Sequence, residues 1–199
     1  MKHVVITGFR AFPGVPDNPS QHLVEYLART PGALPDNSAC ELLDVEYGTV
    51  GEAVERLLDG KPRALVMTGY SRHATAITLE SCAHGHCATD QPDAAGHVHV
   101  VANDERVRET DIDLTALAQV LEGEGIAARL SRDAGAYVCN YTYRRALDCI
   151  AERNGETSAL FVHIPAIEGS DAARESEGAL SLDLMARAIA IIARELARG

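Results

Sequence analysis

The stretch DAGAYVCNYTYRRAL, from Asp133 to Leu147, places a cysteine directly after a glycine-bearing turn and at the start of an amphipathic pattern. A thiol is a nucleophile only to the extent that it ionises, and the free N–H groups and positive dipole end of a helix favour the thiolate. Cys139 is therefore a candidate nucleophile. Because a cysteine in such a place is more often a small buried apolar residue, this interpretation needs a partner base.

A histidine and a glutamate could complete a catalytic arrangement with this cysteine. His163 lies near the end of the apolar strand pattern ALFVHI, and Glu80 is a carboxylate in the apolar-flanked stretch AITLESCA. A buried carboxylate must be paired or protonated, and an imidazole that needs orienting is a natural partner for it. Taken alone, His163 would be interpreted as a hydrogen-bonded core residue. Together the three predict a Cys-His-Glu triad for nucleophilic catalysis.

The elements that must position these residues alternate along the chain. Apolar runs rich in β-branched residues alternate with longer helical patterns, which predicts an α/β fold with an open, mostly parallel twisted sheet. The predicted strands span His3–Thr7, Glu41–Val45, Ala64–Thr68, Ala76–Ala83, Ile126–Leu130 and Ala159–His163. The predicted helices span Pro19–Ala28, Val50–Leu58, Leu114–Glu124, Val138–Arg153 and Gly178–Ala197.

Two segments, 29–39 and 89–113, are predicted as surface loops, the second with a short hairpin at His97–Val101. Ligands of open α/β sheets gather where the strands end at their carboxyl edge. We therefore expect Cys139, His163 and Glu80 to share one such edge of the sheet.

Whole-chain properties limit the function further. A chain of 199 residues, 46% of them hydrophobic, predicts a single domain over residues 1–199. The sequence has no apolar run near the ~20 residues of a membrane span, and its start, MKHVVITG, is unlike a signal peptide. Its five cysteines show no paired spacing. These features predict a cytoplasmic protein with reduced thiols. The net charge of -11 disfavours nucleic acid and anionic membranes as partners, so we expect a small or peptidic ligand and no cofactor.

The chain resembles a known family over nearly its whole length. ITGFRAFPGVPDNPS is similar to the opening of pyroglutamyl peptidase I, a cysteine peptidase family; DAGAYVCNYTY resembles its nucleophile motif and FVHIP its catalytic histidine motif. ITLE occupies the place of its catalytic glutamate, and SLDLMARAIAIIA resembles its closing helix. The resemblance implies a single-domain α/β/α sandwich and a Cys139-His163-Glu80 triad that removes N-terminal pyroglutamyl (5-oxoproline) residues from peptides, without a metal.

The same resemblance implies a binding pocket for the flat lactam ring. The expected substrate-binding residues are Phe9, Phe12, Asn18, Tyr70, Gln91 and Val138. Phe9 and Phe12 would sandwich the ring, Asn18 would steady their loop, and main-chain groups near Tyr70 and Val138 would bind the amide edge. The alternative for the two phenylalanines is ordinary core packing. The resemblance also implies a homo-oligomer, a dimer or a tetramer.

Three positions depart from the family pattern. Ala74 stands where an arginine is expected before the glutamate motif, Ser81 where an arginine usually follows it, and Gln91 where the ring pocket usually has an isoleucine. These changes predict a retained triad with an altered supporting shell. They leave open a divergent or non-catalytic family member that acts on another cyclic amide or acyl substrate.

The stretch SCAHGHC supports a competing hypothesis of another class. Cys82, His84 and His86 alternate and would share one strand face, with Cys87 adjacent, so they could hold zinc through sulfur and nitrogen. Such a set needs a further ligand, and no second cluster is evident. The alternative is a polar strand end near a subunit contact. The other candidate ligands, which nothing in the sequence places, are His73, His97 and His99.

Overall fold

The computed structural model describes residues 4–86, 90–99, 106–153 and 155–198. The strands are β1 (Val4–Phe9), β2 (Ala39–Leu43), β3 (Ala64–Tyr70), β4 (Ile77–Glu80), β5 (Cys82–His84), β6 (Val107–Glu109), β7 (Ala128–Ser131), β8 (Ser158–Ile164), β9 (Ala166–Ile167) and β10 (Ala179–Leu180). The helices are α1 (Pro19–Arg29), α2 (Tyr47–Asp59), α3 (Leu114–Gly123), α4 (Val138–Glu152) and α5 (Leu182–Arg198), with a short 3-10 helix at Ala172–Glu175. Within these described ranges, every helix is too short or too polar to cross a membrane.

A six-stranded sheet in the order β2-β1-β3-β8-β4-β7 forms the middle layer. Alternate side chains of the central strands enter two separate cores. Val4 and Ile6 pack with α1, α3 and α5 on one face, whereas Val5 packs with α2 and α4 on the other. This alternation is what a strand buried on both faces requires. The predicted α/β/α sandwich with a mostly parallel sheet is confirmed.

One strand pair of the sheet is antiparallel. β4 runs against β8, so Thr78 pairs with His163 and Glu80 pairs with Phe161. The expectation that Glu80 lies at the carboxyl edge together with His163 is therefore wrong, because the end of β4 points the opposite way. Glu80 instead reaches His163 diagonally, across adjacent strands and from the same face of the sheet.

The predicted strand Ala76–Ala83 is two strands, because the chain changes partners at Ser81. The Ser81 N–H donates to the carbonyl of Ser131 (2.8 Å), and the Ser81 carbonyl accepts from Thr110 N (3.0 Å). From there β5 leaves the main sheet and pairs antiparallel with β6, a strand that the sequence pattern did not indicate. An apolar run alone does not encode such a change of partner.

The last helix begins later than predicted. Residues from Gly178 were expected to be helical, but Ala179–Leu180 forms β10, which pairs in parallel with β9, and α5 begins at Leu182. Smaller differences occur at β2, α2 and β7, which begin at Ala39, Tyr47 and Ala128. In the predicted hairpin His97–Val101, residues 97–99 carry no regular structure, and residues 100 and 101, like His3, lie outside the described residues.

Candidate active site

Cys139 is the second residue of α4 and is half-buried. The turn before the helix is fixed by Gly135, whose φ is +80° and whose N–H donates to Asp133 Oδ1 (2.9 Å). The N-cap residue Tyr137 makes no side-chain capping bond, so the first N–H groups of α4 are available for a ligand. The structure thus places the thiol at a helix start, as the sequence pattern predicted.

Gly69 provides the space in which the thiol lies against the sheet. It pairs with His163 between β3 and β8. A Cβ atom at this position would lie 2.9 Å from Cys139 Sγ and 2.8 Å from Phe161 Cζ, closer than van der Waals contact allows. Gly69 was not among the predicted site residues, although a glycine inside the buried strand ALVMTGY is a recognisable signal of close approach.

His163 and Glu80 form a buried pair. His163 Nδ1 lies 2.8 Å from Glu80 Oε1, and their side chains are 10% and 2% exposed. Burial by itself would lower the pKa of His163, but hydrogen bonds with Cys139 and Glu80 outweigh it and raise the pKa to about 9. The second carboxylate oxygen, Glu80 Oε2, is buried and accepts no hydrogen bond from the described residues. An imidazolium beside Cys139 is therefore the favoured form at neutral pH.

Helix α4 also holds Glu80, at the end of β4, and the strand β5 that follows it. Asn140 is fully buried; its Oδ1 accepts from His84 N (2.9 Å), and its Nδ2 donates to the carbonyls of His84 (2.9 Å) and His86 (3.0 Å). The Tyr143 hydroxyl donates to the carbonyl of Glu80 (3.0 Å). Neither Asn140 nor Tyr143 has a role predicted from the sequence, because a buried polar side chain on a helix gives no sequence signal of its partner.

A cavity of about 880 Å³ opens over this cluster. Its lining includes all nine predicted catalytic and binding residues, Cys139, His163, Glu80, Phe9, Phe12, Asn18, Tyr70, Gln91 and Val138. Phe9 is largely buried and packs against Phe161, with ring centroids 6.5 Å apart, so the core-packing alternative accounts for much of its surface. Phe12 is half-buried and lies 6.5 Å from the ring of Tyr137.

Asn18 fixes the loop that carries Phe12. Its Nδ2 donates to the carbonyl of Arg10 (3.0 Å), and its Oδ1 caps α1 by accepting from Ser20 N (3.0 Å). The side chain is buried, and the bond to Ser20 is shielded from water. The amide therefore ties the two ends of the 10–18 loop together.

The three departures from the family pattern differ in position. Ala74 is buried in the cavity wall, and Gln91 is exposed on another part of that wall. Ser81 is not among the cavity-lining residues, and its hydroxyl donates to the carbonyl of Ser131 (2.8 Å). Of the three predicted positions of the altered shell, Ala74 and Gln91 therefore line the cavity, whereas Ser81 lies outside its lining, next to Glu80 in the chain.

The SCAHGHC stretch is packed against the turn that precedes α4. His84 Nε2 lies 2.7 Å from the carbonyl of Arg132, which also accepts from Cys82 Sγ at 3.3 Å. The ring of His86 lies 5.3 Å from that of His84, and Cys87 lies outside the described residues. Within the part of the chain that the structure describes, no group of three or more such side chains could hold a metal ion.

The other three histidines considered as metal ligands, His73, His97 and His99, each contact a different side chain. His73 Nδ1 contacts Glu177 Oε1 (2.6 Å), and His97 lies 4.0 Å from Asp93. His99 stacks on Tyr47 with ring centroids 4.8 Å apart. None of these contacts supports the metal hypothesis.

The geometry can be compared with known proteins. The family model described as pyroglutamyl peptidase matches residues 2–198. The chain belongs to the pyroglutamyl peptidase family. Similar relatives include the pyrrolidone-carboxylate peptidase of Thermococcus onnurineus, 31% identical over 95% of this chain and 96% of the relative.

Solved structures agree with this family membership. The chain is similar to pyroglutamyl peptidase I from Bacillus amyloliquefaciens, with 25% identity, a TM-score of 0.89 and coverage of 100% of this chain and 98% of the other. It is also similar to the pyrrolidone carboxyl peptidase of Fervidobacterium islandicum, with 25% identity, a TM-score of 0.85 and coverage of 100% and 99%. The resemblance and the enzyme class, a cysteine peptidase, are thereby confirmed for this pyroglutamyl peptidase family member.

Proposed function

We propose that this family member hydrolyses the bond after an N-terminal pyroglutamyl residue with Cys139 as nucleophile, His163 as acid and base, and Glu80 as the group that orients and charges the imidazole. The observation that carries the proposal is the buried 2.8 Å contact between His163 and Glu80 in the same cavity as Cys139. Because the pKa of His163 is raised to about 9, its imidazolium can hold the Cys139 thiolate at neutral pH.

Acylation begins when the Cys139 thiolate attacks the pyroglutamyl carbonyl carbon. The resulting oxyanion would accept hydrogen bonds from the N–H groups at the start of α4, which have no helical acceptors. The C–N bond then breaks, His163 gives its proton to the departing amine, and a thioester on Cys139 remains.

Deacylation returns the enzyme to its starting state. Neutral His163 takes a proton from water, the hydroxide attacks the thioester carbonyl, and the C–S bond breaks to release pyroglutamate and the Cys139 thiolate. Glu80 keeps one ring tautomer throughout, since it accepts from Nδ1 and leaves Nε2 for the reacting groups.

Main-chain groups near Tyr70 and Val138 would bind the amide edge of the lactam ring, and the ring itself would lie between Phe9 and Phe12. Their apolar surface suits the flat, uncharged lactam, and the cavity bordered by them also reaches the thiol. Gln91 offers a polar side chain on the same wall, so the fit of the ring is expected to differ from that in relatives.

The test is release of a chromophore from pyroglutamyl, prolyl and glutamyl amides by wild type and by Cys139→Ser. We expect release from the pyroglutamyl amide alone, because prolyl lacks the lactam carbonyl and glutamyl lacks the closed ring. A chelator should leave this rate unchanged. Equal release from the prolyl amide, or no release while Cys139 is still alkylated rapidly, would instead support the divergent-substrate alternative.

Three further expectations belong to this proposal. The four described cysteines are free thiols, which supports action in the reducing cytoplasm. We also expect the whole chain to form one domain. The expected dimer or tetramer remains a prediction, and sedimentation velocity of the purified protein would test it.

A further inference from the structure

Residues 90–99 form a segment without any helix or strand and contribute one residue, Gln91, to the cavity wall. Gln91 is exposed, and so are its neighbours Asp90 and Pro92. A segment of this kind has no backbone ladder to fix it. Its position must come from other contacts.

Asp93 makes three of those contacts, one to another element and two within the segment. Its side chain is 0% exposed. Oδ2 accepts from the N–H of Tyr47 (2.9 Å), and Oδ1 accepts from the N–H groups of Ala95 and His97 (both 2.9 Å). Burial would raise the pKa of Asp93, but the three backbone hydrogen bonds together with nearby His97 outweigh it and lower the pKa. The buried carboxylate is thus charged, and both of its oxygens accept hydrogen bonds from backbone N–H groups of the protein.

The bond to Tyr47 fixes the segment to regular structure, because Tyr47 is the first residue of α2. A helix N-terminus has unpaired N–H groups and a positive dipole end, both of which favour a carboxylate. Glu46, the N-cap residue of α2, makes no side-chain capping bond. Asp93 therefore caps α2 from a distant part of the chain.

Two more hydrogen bonds attach the same segment to the cavity walls. The N–H of Ala94 donates to the carbonyl of Val45 (2.9 Å), and the Tyr137 hydroxyl donates to the carbonyl of Pro92 (2.9 Å). Val45 and Tyr137 both line the cavity. Tyr137 also directly precedes α4, which carries the thiol. The segment is therefore held to the two elements that border the cavity.

We propose that Asp93 is a positioning residue for substrate specificity: its buried carboxylate fixes residues 90–99 to α2 and thereby sets where Gln91 meets the bound acyl group. Asp93 touches no reacting atom. The inference rests on the proposed function, since it assigns the ring pocket to this cavity. It predicts an effect on substrate binding without an effect on the reactivity of the thiol, because Cys139, His163 and Glu80 lie on other elements.

The test compares Asp93→Asn with the matched control Asp90→Asn, an exposed acid in the same segment. An asparagine at 93 cannot accept from Tyr47, Ala95 and His97 with two charged oxygens. We expect the KM for a pyroglutamyl amide to rise about tenfold, with kcat changed much less, because hydrogen bonds to a charged group are strong. The rate of Cys139 alkylation by iodoacetamide should stay within about twofold in both variants.

Hydrogen exchange supplies a readout that needs no substrate. The amides of Tyr47, Ala95 and His97 should exchange faster in Asp93→Asn than in wild type and Asp90→Asn. Adding Gln91→Ala to Asp93→Asn should raise KM less than the two single effects multiplied, because one residue acts through the other.

The outcomes separate this inference from the proposed function. An unchanged KM in Asp93→Asn despite faster exchange overturns it, and so does a parallel loss of kcat and thiol reactivity, which would show a general structural role. If wild type releases no chromophore, the proposed function fails, and with it the assignment of Asp93 to specificity. Equal amide exchange in wild type, Asp93→Asn and Asp90→Asn would show that Asp93 does not hold the segment in place.

Discussion

Two regions border the same cavity and are held in different ways. Cys139, His163 and Glu80 lie on α4, β8 and β4, whose positions are set by the sheet ladder and by two cores. Residues 90–99 have no ladder and depend on individual hydrogen bonds, among them the buried bond from Tyr47 to Asp93, and on the ring contacts of His99. Elements packed in a core tolerate few alternatives, whereas a segment held by a few polar contacts can change without unfolding the protein.

Because of this difference, residues that set substrate specificity can change without moving the candidate reacting groups. The reacting groups are fixed by regular structure that the rest of the fold requires. The wall that we propose meets the acyl group is fixed by contacts that other side chains could replace, and it contains Gln91. Substitutions in the two regions should therefore have effects of different kind and size.

The largest effect is expected for Cys139→Ser. Because an unassisted hydroxyl ionises far less than a thiol, kcat/KM for a pyroglutamyl amide should fall at least about 10³-fold with an unchanged thermal midpoint. Cys40→Ser serves as the matched control and should keep full activity. Comparable rates in Cys139→Ser and wild type would exclude the triad.

Alkylation should follow the same division among the thiols. Burial raises the pKa of Cys40 to about 11 and raises the pKa values of Cys82 and Cys149, so these groups are scarcely ionised at pH 7. Among the four cysteines that the structure describes, one equivalent of iodoacetamide should therefore label Cys139, as peptide mass spectrometry would show. Even labelling of all cysteines would count against an activated thiol.

The next largest effect is expected for Gly69→Ala. The added methyl group would lie 2.9 Å from Cys139 Sγ and must displace the thiol, and a misplacement near 1 Å can cost about 10²-fold in rate. The matched control is Gly48→Ala, where an added Cβ would meet no atom within 4 Å. Kinetics and the thermal midpoint should be measured together, since Phe161 also crowds Gly69. Full activity in Gly69→Ala would disprove the close approach.

Glu80→Gln should change the pH dependence of activity. The pKa of His163 is raised to about 9 in the folded protein. The charged ring therefore stabilises the folded state fully below the usual histidine pKa, and this stabilisation is lost as the pH rises through about 9. Removing the carboxylate charge lowers this pKa, so the alkaline limb of kcat/KM should move about one to three units towards lower pH.

The matched control for this shift is Glu177→Gln, which removes a carboxylate from an exposed histidine contact at His73. Its alkaline limb should coincide with that of wild type. A limb that stays in place in Glu80→Gln would show that Glu80 does not set the charge of the imidazole.

The smallest effect is expected for Gln91→Ile. An apolar side chain in the ring pocket should lower KM for the pyroglutamyl amide about three- to tenfold and leave kcat nearly unchanged. Ser81→Ala, outside the cavity lining, should change KM less. An equal response to both substitutions would show that residue 91 does not contact the ring directly.

The sequence predicted much of the architecture because apolar periodicity is a local property. All five helices and the six strands of the central sheet lie where the patterns indicated, with shifted ends. The direction of β4 could not be predicted, because the run ITLE reads the same whichever neighbour it joins. Likewise, the break at Ser81 depends on Ser131 and Thr110, which are distant in sequence.

The candidate site shows the same limit. Cys139, His163 and Glu80 stood out by residue type and by family motifs, and the structure brings them together. Gly69, Asn140 and Asp93 did not stand out, because their importance lies in what a missing or buried group meets in the folded chain. Such contacts arise only from tertiary structure.

The bond between His163 and Glu80 joins residues 83 positions apart, and Cys139 lies between them in the chain. Contacts of such long range form late, after the entropy of closing a large loop has been paid. During synthesis, the thiol leaves the ribosome before β8 does. We therefore expect the growing chain to lack the His163–Glu80 pair beside the Cys139 sulfur until the sheet closes around β8, the last central strand to be made.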